Sequence, residues 1–315
     1  MPDWREGIER ALTGAAARVE RDVPLARLTT FRIGGPAEVL VRVSSRESLA
    51  TVVRFCADER VGFRVLGRGS NVLVSDQGLG GITVVLDGPF GRVRVEGDRV
   101  RAGGGAALDA IAAAAEAAGL AGAEFLAGIP GTVGGGLETN AGAFGRSLSD
   151  ILERVTVTGP DGAERDIGAG ELATGYRRPV VAAGVVVVEA AVRLVPGKPE
   201  TCEAVRQRRL SKQPQEPSAG SFFRNPDAGP AGRLIDRCGL KGRCVGGAQV
   251  SPKHANFLVN TGGACCADVL ELAQVVKATV EERTGVLLVE EVKILPGADD
   301  RWTAGHAAGG PAVPS

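Results

Sequence analysis

Glycine sets the tightest constraint on this chain. The 315 residues include 46 glycines, gathered in clusters rather than at a fixed period, which excludes a collagen-like or disordered chain. Two clusters lie in the first half: Leu66-Gly67-Arg68-Gly69-Ser70-Asn71 and Gly128-Ile129-Pro130-Gly131-Thr132-Val133-Gly134-Gly135-Gly136. Beside predicted strands, such runs let a ligand lie against the backbone. Neither has the G-x-G-x-x-G spacing of a Rossmann turn, because Gly67 and Gly69 are followed by Val72 where the third glycine belongs. Successive N–H groups in such loops still form an anion nest that accepts a pyrophosphate. Either loop alone reads equally well as an ordinary turn. Two in one domain, spaced by strands and a helix, favour a dinucleotide held from both sides.

The length allows two domains, each with its own core. Apolar residues at helical spacing predict a helix over Glu47–Glu59, followed by a strand at Phe63–Leu66, with extended structure resuming at Val72–Val74. Strands are expected at Ile82–Leu86 and Val93–Ala102, an alanine-rich helix at Ala106–Ala118 ended by Gly119, and a hairpin joining Val155–Val157 to Glu164–Ile167. The most apolar run, Val180–Val195, is interrupted by Glu189 and Arg193 and reads as a buried strand, not a membrane span. Pro196-Gly197-Lys198-Pro199 is the best linker candidate. Beyond it are expected a charged helix (Thr201–Lys212), a short helix around Leu234, a strand at Phe257–Val259 and a last strand at Val286–Leu295. Between these lies an amphipathic helix, Ala267–Arg283, with its stripe on Val269, Leu270, Ala273, Val276 and Val280. The Gly/Ala/Pro-rich end from Ala298 reads as disordered. Thirty-seven basic residues balance 37 acidic ones, so there is no nucleic-acid footprint. The charged N-terminus does not resemble a signal peptide. Six cysteines without a CxxC pair suit free thiols in a reducing cytosol, and two histidines, His254 and His306, make a histidine-rich metal site a poor reading.

One more stretch bears on chemistry: Ala219-Gly220-Ser221-Phe222-Phe223-Arg224-Asn225-Pro226. It sets one hydroxyl between two small residues that give access and two aromatics that exclude water. By itself Ser221 reads more readily as a loop serine capping a turn before Asn-Pro.

Taken in order, several motifs resemble the UDP-N-acetylenolpyruvoylglucosamine reductase (MurB) family. Thr29-Thr30-Phe31-Arg32-Ile33-Gly34-Gly35-Pro36-Ala37, the Leu66–Asn71 loop, Glu124–Gly135 and Asn140-Ala141-Gly142-Ala143-Phe144-Gly145 are similar to its FAD-binding half. The Ser221 stretch and Val245–Phe257 are similar to its C-terminal half. The similarity runs from about Leu28 to Leu295. It implies an α+β chain: a two-part FAD-binding domain of the PCMH/vanillyl-alcohol-oxidase type over 28–196, not Rossmann, and a smaller α+β substrate domain over 197–297. An N-terminal segment (1–27) and a tail (298–315) complete it. Some members of the wider fold group bind FAD through histidine. With no histidine before His254, this flavin is expected to be noncovalent.

The resemblance implies reduction of UDP-N-acetylglucosamine enolpyruvate to UDP-N-acetylmuramate in peptidoglycan precursor synthesis. NADPH reduces the flavin, whose N5 delivers hydride to the terminal vinyl carbon, and charge builds on the adjacent carbon and its carboxylate. Ser221 matches the proton donor, Arg177 the fork that holds the carboxylate, and Glu291 the C-terminal acid. In an extended segment Glu290 and Glu291 face opposite ways, so only one reaches the site. The cofactor contacts implied are Gly67, Arg68, Gly69, Ser70, Asn71, Ile129, Pro130, Gly131, Thr132, Gly134, Gly135 and Asn140. Tyr176, Arg177, Lys241 and Asn256 are implied as substrate contacts. The expected partner is a small nucleotide-sugar, with no nucleic acid and no membrane, and the protein is expected to be a cytoplasmic monomer.

Departures from the family pattern include Arg68 inside the nest, Glu138 before Asn140, Arg178-Pro179 after Arg177, Glu290 where proline is common, and Cys265-Cys266. They leave room for a divergent paralog, or for a related flavin oxidase acting on another nucleotide-sugar or hydroxy acid. A noncatalytic flavin- or nucleotide-sugar-binding protein is the reading from another class. No second tyrosine exists to gate the substrate, which places the chain with the family's shorter branch.

Overall fold

The structure is a computed structural model that describes residues 3–172, 180 and 184–295. Asp3 caps the short helix α1 (Trp4–Ala11) by accepting from Arg5 N at 3.0 Å. Five strands and a helix follow: β1 (Ala17–Pro24), β2 (Pro36–Val43), α2 (Arg46–Asp58), β3 (Phe63–Val65), β4 (Val72–Val74) and β5 (Leu79–Leu86). Four of the strands form a sheet of order β1-β2-β5-β3, antiparallel at β1/β2 and parallel across β2/β5/β3. The first 27 residues thus supply an edge strand, which a scan for glycine turns does not reveal. β2 alternates with its inward valines Val39, Val41 and Val43, and α2 meets them with Leu49, Val52 and Val53. Ser45 starts α2 by accepting from Ser48 N, the usual work of an N-cap serine.

A second, antiparallel sheet follows. It comprises β6 (Val93–Glu96), β7 (Arg99–Gly103), β8 (Leu152–Thr158), β9 (Glu164–Gly168) and β10 (Val186–Arg193), in the order β9-β8-β10-β7-β6. Between β7 and β8 lie α3 (Leu108–Ala117) and α4 (Val133–Thr139). Ile111 and Leu108 of α3 pack on Val100, Val155, Val157 and Val192 of the sheet. The predicted strand at 93–102 is two strands, broken where Gly97 takes φ +63°.

The last third begins with α5 (Cys202–Lys212). Its buried Cys202 and Val205 join the core of the second sheet. β11 (Ser218–Ser221), α6 (Ala231–Arg237), β12 (Cys244–Val245), β13 (Ala248–Val250), β14 (Phe257–Asn260), α7 (Cys266–Thr284) and β15 (Lys293–Leu295) complete the chain. The sheet β11-β14-β13-β12 is antiparallel. On α7, Leu272 rather than Leu270 fills the stripe: Val269, Leu272, Ala273, Val276 and Val280 are buried while Leu270 is only partly so. The expected last strand is shorter than 286–295. Its alternation persists, with Leu287 64% and Val289 56% exposed against Leu288 at 2%. Among the described residues its backbone-to-backbone hydrogen bonds there go to Phe222 and Arg224, and pairing before β15 reduces to an isolated bridge between Phe223 and Glu290.

The two halves interlock. β15 pairs in parallel with β4, carrying the end of the described chain back into the first half. Phe31, Ile33 and Leu73 of the first half are buried in the same cluster as Phe222, Phe223 and α7. Asp76 caps α7 from across the junction, accepting from Cys266 N at 2.8 Å and Ala267 N at 3.3 Å. A carboxylate at a helix start stabilises its unpaired N–H groups and its dipole. All six cysteines are free thiols, and burial pushes Cys56 up to about 12. Among the described residues no helix is long and apolar enough to cross a membrane.

Candidate active site

A cavity of about 1100 Å³ runs between the halves. One wall is the glycine loop after β3. The backbone N–H groups of Gly67, Arg68, Gly69, Ser70 and Asn71 have no hydrogen-bond partner among the described residues. A run of consecutive N–H groups of this kind is the material of an anion nest. Gly69 has φ +57°, and a Cβ there would lie 2.5 Å from Leu28 O, so no side chain fits. Gly67 lies against the second loop, where a Cβ would sit 2.4 Å from Thr132 Oγ1. Thr132 is the N-cap of α4 and accepts from Gly135 N, so the two loops meet at one hydroxyl.

The second loop is held from behind by α5. Arg209 donates to Ala127 O at 2.8 Å and to Phe125 O at 2.9 Å, and its guanidinium lies over the Phe144 ring. Burial lowers its pKa from the ordinary value. Asp109 of α3 accepts from Gly128 N at 2.7 Å and from Arg206 at 2.8 Å. Burial pushes the Asp109 carboxyl upward, but Arg206 and the Gly128 N–H outweigh it and hold the pKa below its usual value.

The opposite wall carries the candidate chemistry. Ser221 ends β11 opposite Phe257 and lines the cavity. Phe222 and Phe223 turn into the core as an edge-to-face pair with centroids 5.1 Å apart. Glu291 also lines the cavity, its N–H donating to Phe222 O at 2.8 Å and its carbonyl accepting from Asn71 Nδ2 at 3.3 Å. Glu290 faces elsewhere and pairs with Lys277 of α7 at 2.9 Å. Lys293 lines the cavity and pairs with Glu138 of α4, so each of the two unusual acids, Glu290 and Glu138, is matched by a lysine.

Eleven of the twelve predicted cofactor residues line this cavity; Asn140 does not. Asn140 is buried at the end of α4 with φ +45° and exchanges hydrogen bonds with Ser149. Arg68 faces the cavity as an exposed side chain. Asn256 is 3% exposed, and its amide bonds Phe223 N and O, pinning the strand that follows Ser221. Lys241 pairs with Asp236 away from the cavity lining. Tyr176 and Arg177 lie outside the described residues, as does the tail from 298.

Gly104, Gly105, Thr30, Asp109 and Arg209 were not singled out from sequence. A signal existed for the first two, the run Gly103-Gly104-Gly105 after β7, where a Cβ on Gly104 would meet Val187 O at 2.0 Å. Nothing local marks Arg209, whose role depends on α5 folding back across more than 80 residues. The lining suits a dinucleotide flavin: a nest of N–H groups for a pyrophosphate, arginines 32, 64 and 68 nearby, and apolar wall at Leu86, Val186 and Val187.

Comparison with known proteins gives the same outline. Residues 37–168 match the family model "FAD binding domain", and residues 213–295 match "UDP-N-acetylenolpyruvoylglucosamine reductase, C-terminal domain". The chain is 45% identical to UDP-N-acetylenolpyruvoylglucosamine reductase 2 of Symbiobacterium thermophilum, over 90% of this chain and 94% of that protein. It is 43% identical to the reductase of Acidiphilium cryptum, over 93% and 95%. The crystal structure of the UDP-N-acetylenolpyruvylglucosamine reductase of Thermus caldophilus superposes with TM-score 0.77 at 38% identity, covering 89% of this chain and 100% of that one.

Proposed function

The chain belongs to the UDP-N-acetylenolpyruvoylglucosamine reductase family, and on that premise we propose that it reduces UDP-N-acetylglucosamine enolpyruvate to UDP-N-acetylmuramate, using FAD and NADPH. The observation that carries the reading is a single cavity joining both glycine loops to Ser221 and Glu291.

When bound, the flavin supplies two-electron chemistry between the nicotinamide and the substrate's double bond. The chain's own residues do the rest. The Gly67–Asn71 N–H groups and the Ile129–Gly135 loop hold the cofactor's diphosphate without a covalent link. Ser221 Oγ donates a proton to the carbon beside the carboxylate, where negative charge builds as the bond is reduced. A serine hydroxyl is a weak acid, but that carbon is a stronger base, so the transfer runs downhill. Glu291, fixed to Phe222 through its main chain, is the acid this reading sets on the same wall of the cavity as Ser221. Arg177 carries the substrate carboxylate in this reading on the family resemblance alone. Asn256 acts through Phe223, and Lys241, paired with Asp236, has the weakest claim to the substrate.

The same reading assigns flavin binding to residues 28–196 and substrate binding to 197–297, with α5 belonging to the second part by sequence and packing on the first. It places the protein in the cytoplasm of a peptidoglycan-making cell, as a monomer.

The test is the colour of the purified protein. A yellow sample should bleach anaerobically with NADPH and recover when the enolpyruvyl substrate is added. Recovery only with oxygen would replace the reductase by an oxidase, and a protein that takes up no FAD would remove both.

A further inference from the structure

The loop Thr29–Ile33 touches both the cradle and the strand that bears Ser221. The N–H of Thr30 donates to Gly69 O at 3.2 Å. Its hydroxyl donates to Ser218 O at 2.7 Å, a partner 188 positions away. Gly69 O also lies 3.4 Å from the hydroxyl, but a hydroxyl has one proton and the shorter contact takes it. The loop is braced on each side. Thr29 Oγ1 donates to Ile33 O at 2.9 Å, and Asn260 Nδ2 of β14 donates to Phe31 O at 3.1 Å. The Phe31 ring is fully buried in the cluster that holds Phe222 and Phe223.

This grip falls at the edge of an irregularity in the sheet, flanked by the main-chain bonds Asn260 N to Pro217 O and Phe222 N to Asn256 O. β11 meets β14 at Ser218↔Val259 and Ser221↔Phe257, with a register shift between them. Gly220 within that gap has φ +78°. Regular pairing therefore does not fix the backbone that leads into Ser221, and a second restraint at Ser218 has something to do.

We propose that Thr30 is a positioning residue: its hydroxyl sets the spacing between the Gly67–Asn71 phosphate nest and the Ser221 hydroxyl. The inference rests on the reading of Ser221 as proton donor. It acts through the main chain of β11 and requires no contact between Thr30 and the substrate.

The experiment compares Thr30→Val, which keeps the shape and removes the donor, with Thr30→Ser, which restores it. Thr30→Ala serves as a second donor-less variant should valine hinder folding. Flavin affinity by fluorescence titration and the NADPH bleaching rate should stay within about threefold of the unaltered protein. Reoxidation by the enolpyruvyl substrate should slow by about tenfold to a hundredfold, the cost of a small misplacement of a reacting group. Hydrogen exchange in peptides covering 216–224 should quicken in Thr30→Val and return to normal in Thr30→Ser. Unaltered exchange there, or a loss confined to flavin affinity, overturns the proposal. If the unaltered protein itself fails to react with the substrate, the functional reading falls, and the exchange comparison still decides whether Thr30 holds β11.

Discussion

Replacing Gly67 by alanine asks whether the two glycine loops are one device or two. Gly67 is not in the left-handed region, so its backbone accepts a Cβ without torsional penalty. The new carbon would lie 2.4 Å from Thr132 Oγ1, 3.2 Å from its Cγ2 and 3.3 Å from its Cβ. Thr132 must therefore rotate or the loops must separate. Rotation gives up the cap on Gly135 N, worth about 1 kcal/mol, and an off-rotamer threonine costs about 0.5–1.5 kcal/mol. Either cost raises the closed cradle by about 0.5–1.5 kcal/mol, which weakens flavin binding by about twofold to twelvefold. The assay is fluorescence titration of the flavin-free protein with FAD. Gly91→Ala is the control, because a Cβ there meets nothing within 4 Å. A Gly67→Ala protein that binds FAD as tightly as the Gly91→Ala control would refute the argument that the loops share one hydroxyl.

Ser221→Ala should leave bleaching by NADPH nearly intact and slow recovery by substrate by at least about a hundredfold; equal loss in both stopped-flow half-reactions would remove the assigned role. Asp76→Ala strips the cap from α7 and should cost about 1–2 kcal/mol, a fall in Tm of a few degrees by calorimetry, and an unchanged Tm would mean that water replaces the carboxylate. Reversing the pair, Lys277→Glu with Glu290→Lys, should recover the substrate-dependent rate lost in either single variant; no recovery would show that the ion pair does not hold the segment carrying Glu291. Because the Asp109 pKa is depressed in the fold, its contribution is complete above the ordinary carboxylate value and disappears as pH falls through the lowered one. Flavin affinity should thus be flat with respect to Asp109 above about pH 5 and fall below about pH 4. Asp109→Asn should flatten that acid limb in a titration series, and a limb that persists assigns it to another group.

The glycine loops were legible because their function is local: φ values, close approaches and consecutive N–H groups are set by neighbours in sequence. Glu290 and Glu291 were separable for a similar reason, since extended backbone sends adjacent side chains to opposite sides. What sequence could not supply is the identity of partners that the fold brings together. Residues 286–292 have the alternation of a strand, but among the described residues their strand pairing is a single bridge to Phe223. Asn140 and Asn256 carry polar side chains in the right motifs, and their hydrogen bonds, to Ser149 and to the Phe223 main chain, are supplied by the fold. Thr30 and Arg209 look ordinary in sequence because what distinguishes each is a carbonyl more than 80 positions away.

The parallel pairing of Lys293–Leu295 with Val72–Val74 has a consequence for how the chain is born. The ribosome releases Val72–Val74 early and its one strand partner among the last residues described, so this strand waits unpaired beside the first glycine loop for the rest of the polypeptide. At about 5–20 residues per second, that interval is about 10–40 s. During it Asp76 has no helix to cap and Phe31 no core to enter. A nascent chain stalled before residue 290 should be open to protease around the first glycine loop, and full protection should arrive only once Lys293–Leu295 is free to pair with Val72–Val74.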